Sequence, residues 1–184
     1  MTNYTKLLFP STLALLAAAY FMTLLPSKAS ANTIKDSQEI SKLLSEAKSE
    51  AIALRDDADE MAIFTRSKLS WRTFVAKLDE IKEHINKTGE LLAKLDAARE
   101  SGSSWQQQAI DHIRPVLKEL ATNTEATYVH LNDNKRTAHN KDLTDYCDVN
   151  YRLAKELAAL VGDFIDYGET KAHFAELQKK VDTR

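Results

Sequence analysis

"IFTRSKLSWRTFVAK", residues 63–77, decides how many helices this chain contains. Upstream, Ile40, Leu44, Ala47, Ala51, Leu54, Ala58 and Met61 step alternately by four and three, the a/d seam of a packed helix. Downstream, Phe74, Leu78, Ile81, Ile85, Thr88, Leu92 and Leu95 step in the same way. Carried past Met61, the first frame lands on Thr65, Lys68 and Arg72, then after Val75 on Asp79, a run too polar to line an apolar core. The two frames are therefore out of register, and the break lies inside the quoted stretch. One helix from 34 to 99 would also be roughly 100 Å long at the α-helical rise. A turn at Ser67–Ser70 is predicted, with either serine able to cap the second helix by accepting a backbone N–H.

Beyond these two segments the pattern repeats. In "ESGSSWQ" (100–106), Gly102 follows the end of a seam and Ser103 or Ser104 is a candidate N-cap. A third helix then carries Ala109, Ile113, Val116 or Leu117, Leu120, Thr124, Thr127 and Leu131, with a kink expected at Pro115. The polar connection "NDNKRTAHNKD" (132–142) leads to a fourth helix. Its seam reads Leu143, Tyr146, Asn150, Leu153, Leu157, Leu160, Phe164, Lys171, Phe174 and Gln178, apolar to Phe164 and fading after Gly168, with a bend or early stop expected at "DYG" (166–168). Strand-like alternation is missing, and Gly and Pro are scarce. The expectation is an all-α, up-down-up-down four-helix bundle, the alternative being a helical hairpin completed by dimerisation.

The amino terminus sets the expected compartment. A weakly basic "MTNYTK" precedes the apolar "LLFPSTLALLAAAYFMTLLP", and "SKASA" places Ala29 and Ala31 at small-residue positions. This is the plan of a secretory signal peptide cleaved after Ala31; the length of the apolar run leaves an uncleaved anchor as the alternative. Residues 1–31 are thus assigned to targeting and 32–184 to one helical domain. That domain holds 23 Lys+Arg against 27 Asp+Glu, a balance that argues for solubility and against general nucleic-acid binding. Cys147 is the only cysteine, which excludes an intramolecular disulfide and a lipid-modified cysteine at the cleavage site. Its place beside the seam residue Tyr146 suggests a small buried hydrophobe.

Few residues have the spacing of a chemical centre. There is no C-x-x-C-H for haem attachment, no G-x-S-x-G, no phosphate-cradling glycine loop and no H-E-x-x-H. A haem held between Met61 and His173 is excluded by their expected positions at opposite poles. Glu-x-x-His, the di-metal bundle motif, fails at His84, His112, His130 and His173. Glu80/His84 and Glu169/His173 are i,i+4 pairs read as solvated helix surface. His130, Asp133, His139 and Asp142 gather within the third connection and form a weak candidate metal site. No cofactor and no enzymatic activity are expected.

One feature remains for function. The quoted stretch carries four basic residues, three large aromatics and no acid. Up-down-up-down topology would join Arg66, Lys68, Leu69, Trp71 and Arg72 to Lys135 and Arg136 at one pole. Phe64 and Phe74 would plug the core beneath, with Trp71 folded over them and basic stems snorkelling outward. If Leu69 and Trp71 stay partly exposed within that ring, the pole suits a protein partner or an anionic membrane surface. The expected function is therefore an exported, monomeric or dimeric bundle acting by contact; the alternative is a small-ligand or metal-binding bundle, with its site at the third turn or beside Pro115. The stretches "FTRSKLSW", "HLNDN" and "FIDYG" resemble those of uncharacterised exported helical-bundle proteins of bacteria. That resemblance spans most of residues 32–184, implies a periplasmic setting and brings no functional residues.

Overall fold

Four long helices form because each repeats an apolar stripe and is closed at its N-terminus by a capping side chain. The computed structural model describes residues 35–67, 69–137 and 140–183. The helices are α1 (Gln38–Phe64), α2 (Trp71–Ala98), α3 (Ser104–Asp133) and α4 (Lys141–Asp182), with a single 3-10 turn at Arg99–Ser101. The described residues contain no strand. Ser37 Oγ accepts from the Ile40 N–H at 3.4 Å, Ser70 Oγ from Thr73 at 3.3 Å and Asn140 Oδ1 from Leu143 at 2.8 Å. At α3 the cap is reciprocal in kind, the Ser103 N–H donating to Gln106 Oε1 at 3.0 Å. The first turn therefore falls where the two heptad frames disagree, between Phe64 and Trp71.

The four helices pack together as α1 on α2, α2 on α3, α3 on α4 and α4 on α1. All seven seam residues of α1 are buried, as are Phe74, Leu78, Ile81, Ile85, Thr88 and Leu95 of α2. Leu91 takes the buried position expected for Leu92, and in α3 Leu117 rather than Val116 faces inward. Each large aliphatic side chain so buried contributes about 1.5–3 kcal/mol relative to exposure, which no surface pair in the molecule approaches.

Two expectations for α4 are corrected. Its buried residues are Leu143, Cys147, Asn150, Leu153, Ala154, Leu157, Ala158, Val161 and Gly168, so Leu143, Asn150, Leu153 and Leu157 of the expected seam hold, whereas Cys147 and Val161 are buried in place of Tyr146, Leu160 and Phe164, and Phe174 is exposed. Tyr146 and Phe164 are half-buried at the edge instead, their rings 5.3 Å from His130 and 5.8 Å from His112. Large aromatics flank the stripe while smaller Cys147, Ala154 and Val161 occupy it. Nor does α4 stop at 166–168; it continues unbroken to Asp182. Gly168 meets Trp105 there and is a packing residue, not a helix stop: a Cβ on it would sit 2.7 Å from the indole ring. α3 is a single helix with Pro115 inside it, as its seam predicts.

Candidate interaction surface

The α1–α2 turn is built to display side chains. Phe74 is fully buried, and Phe64, Leu69 and Trp71 are half-buried against the core. Ser70 ends the turn, so Trp71 is the first residue of α2, and it packs partly buried against the core. Across the gap, α3 closes with Asn134, whose N–H donates to the His130 carbonyl at 3.0 Å. Lys135 and Arg136 follow and are exposed.

These two turns meet at the indole. Lys135 Nζ lies 5.0 Å from the Trp71 ring centroid, and the Arg72 guanidinium carbon lies 5.7 Å from it. Each such contact is worth about 0.5–1 kcal/mol at an exposed site. Arg72 is exposed, as is Arg66 in the α1–α2 connection. Lys141 is exposed as well but already holds Asp145 at 2.6 Å. Among the predicted contact residues, Arg66, Leu69, Trp71, Arg72, Lys135 and Arg136 thus have described positions; Lys68 lies outside the described residues. The chemical result is a half-buried aromatic flanked by two cations, Arg72 from the start of α2 and Lys135 from beyond the end of α3.

The predicted metal ligands fare differently. His130 Nε2 is 3.1 Å from Asn140 Oδ1, the same oxygen that caps α4, and its ring packs on Tyr146. That imidazole ties the end of α3 to the start of α4. Asp133 and Asp142 are exposed, and His139 lies outside the described residues. No group of three His, Cys, Asp or Glu among the described residues is placed to hold a metal ion. Beside Pro115 a shallow groove is lined by Thr122, Asn123, Ala126 and Val149, without convergent charged groups of one sign.

Sequence reasoning missed two polar networks. Gln106 is fully buried; its Oε1 accepts from the Ser37 N–H at 2.9 Å and from the Ser103 N–H, while its Nε2 donates to the Ser37 carbonyl at 2.8 Å and to Ser41 Oγ at 3.0 Å. One amide thereby joins the starts of α1 and α3. The second network runs between α1 and α2. His84, read as solvated surface with Glu80, instead places Nδ1 2.7 Å from Glu50 and Nε2 3.4 Å from Asp57. Lys77, only 12% exposed, bridges Asp57, Glu60 at 2.7 Å and Glu80. Burial pushes the Lys77 amine down, but its hydrogen bonds to Glu60 and Glu80 and the charge of Asp57 outweigh that and hold it well above the usual lysine range. The i,i+4 acid that drew attention to His84 was the wrong partner, because the signal crosses helices.

No family model, no curated protein and no solved structure matches the chain significantly.

Proposed function

We propose that this chain is an exported, non-enzymatic bundle of up-down-up-down topology that acts by binding an acidic protein surface through its Trp71 pole. The topology is supported by the cross-helix pairs: His84 with Glu50 and Lys77 with Asp57, Tyr128 with Asp79 and Arg99 with Asp111, Asn123 with Asn150 and His112 with Phe164. In each pair of helices, positions rise along one as they fall along the next. Export is supported by the tripartite character of residues 1–31 and by the resemblance to bacterial exported proteins.

The observation that carries the contact reading is Lys135 over the Trp71 ring at 5.0 Å, which joins cations of two separate turns in one patch. Arg and aromatic side chains at such a patch are the groups that anchor protein interfaces, and long-range charge attraction speeds encounter. A protein surface is favoured over a bilayer because the indole is covered by cations and is not free to insert.

The test uses poly-L-glutamate as the acidic probe and anionic vesicles as the competing one. The full chain is expected to bind the polypeptide at low salt, with affinity falling steadily as salt rises. Lys135→Glu/Arg136→Glu should abolish binding while leaving helical circular dichroism unchanged, and Trp71→Ala should weaken it. Equal binding by the charge-reversed variant overturns the proposal. Preference for vesicles over the polypeptide transfers the pole to a membrane role.

A further inference from the structure

Small side chains open a cleft where the start of α1 passes α4. Ser41 and Ser45 of α1 face Gly168 and Ala172 of α4 across it, each pair four residues apart and so on one side of its helix. The volume is about 330 Å³, at the lower end of the range of small-molecule sites. Leu44, Ile165 and the Trp105 indole supply the apolar wall. Leu44 is fully buried and Trp105 nearly so, which makes that wall part of the core and fixed in place. Ser45, Glu169 and Ala172 are exposed, so the cleft opens to solvent on their side.

The ionisable groups on the lining have one sign: Asp36 and Glu169, with no basic residue beside them on it. A cation is already held at the edge. Asp36 Oδ1 accepts from Lys171 Nζ at 2.8 Å and from Trp105 Nε1 at 2.9 Å. Lys171 offsets the charge of Asp36, whereas Glu169 has no hydrogen bond or ion pair among the described residues. Ser45 Oγ donates to the Ser41 carbonyl at 3.0 Å, which leaves its lone pairs as acceptors.

We infer that this cleft binds a small organic cation, an ammonium group carried on an apolar body about the size of one ring. The body lies against Leu44, Ile165 and the indole, and the ammonium reaches Glu169 and the edge of Asp36. Charge chooses the class. An anion would meet two carboxylates with no basic residue on the lining, and a neutral molecule would make no charge-assisted hydrogen bond to Glu169. The cleft shares no residue with the Trp71 pole, so either assignment can fail alone.

The test follows the two indole N–H resonances of the ¹⁵N-labelled full chain, assigned with Trp71→Phe, as phenethylammonium is added. The Trp105 signal should shift to saturation while the Trp71 signal stays in place. The uncharged analogue 2-phenylethanol should bind several-fold more weakly. Glu169→Gln should weaken phenethylammonium binding about two- to five-fold, the reach of one exposed charge contact. Lys171→Met removes the competing ammonium from Asp36 and should tighten binding. Ser45→Trp, at an exposed position, should close the cleft and abolish the shift with helical circular dichroism unchanged. Absence of a saturable Trp105 shift overturns the inference, as does equal affinity for 2-phenylethanol or a shift that survives Ser45→Trp. Equal movement of both indoles also overturns it, because that identifies unspecific association with an acidic surface.

Discussion

Two glycines of this chain carry opposite expectations. At Gly168 an added Cβ would meet Trp105 Cη2 and Cζ2 at 2.7 Å, and the indole cannot swing away freely because its Nε1 donates to Asp36 Oδ1 at 2.9 Å. Gly168→Ala should therefore lose about 1–2 kcal/mol, the strain exceeding the gain in helix propensity. Around Gly89 nothing lies within 4 Å. Gly89→Ala should gain about 0.5–1 kcal/mol, and paired thermal melts followed by circular dichroism measure both signs. Cys147 is the third informative residue. Burial, then the charge of Asp148, pushes its thiol up to about 12, so it should resist thiol reagents at neutral pH and react only as the chain unfolds. The sequence reading of Cys147 as a small buried hydrophobe holds, but the seam was drawn through its neighbour Tyr146, because periodicity locates a stripe only to within one position. Gly168 was misread for a related reason: a glycine in a helix reads as a stop until the indole it accommodates is known.

At the scale of the element, the α1–α2 turn was legible without Gly or Pro because two seven-residue seams fell out of phase across it. The cap that fixes it is Ser70, and Ser70→Ala should cost about 1 kcal/mol in chemical denaturation. The junction of α1 and α3 was not legible. Gln106 is a lone buried amide whose partners Ser37, Ser41 and Ser103 come from distant sequence, and no local pattern announces it. Gln106→Leu should cost roughly 1–3 kcal/mol, since the buried Ser103 N–H would be left without that acceptor. The full span of α4 was equally hidden: its last turns lack core contacts, so their helicity is not advertised by a buried stripe.

For the whole molecule, the four buried seams made the all-helical fold readable, whereas the order of helices round the core depends on contacts such as His84 with Glu50 that cross between segments. The bond from Lys171 of α4 to Asp36, just before α1, is expected to weaken in acid. Burial raises the Asp36 carboxyl, but hydrogen bonds from Lys171, Ser103 and Trp105 outweigh it and hold the group below its usual range. A depressed carboxylate stabilises the fold above its unfolded value of about 3.9 and loses that contribution as pH falls through the folded value. Acid unfolding of the wild type should show this component, and Asp36→Asn should lack it. The proposed function rests on how charge is arranged over the same body: Arg72 and Lys135 lie over the Trp71 ring, and Arg66 and Arg136 are exposed in the two flanking connections. The most direct test is photo-crosslinking in the native host from a probe at Arg136, with Lys94 near the other end of α2 as the control position. An adduct to an acidic protein from position 136, absent from 94 and lost when Arg72 and Lys135 are reversed to Glu, is the predicted result. Adducts equally strong from both positions, or unchanged by the reversal, would contradict the account.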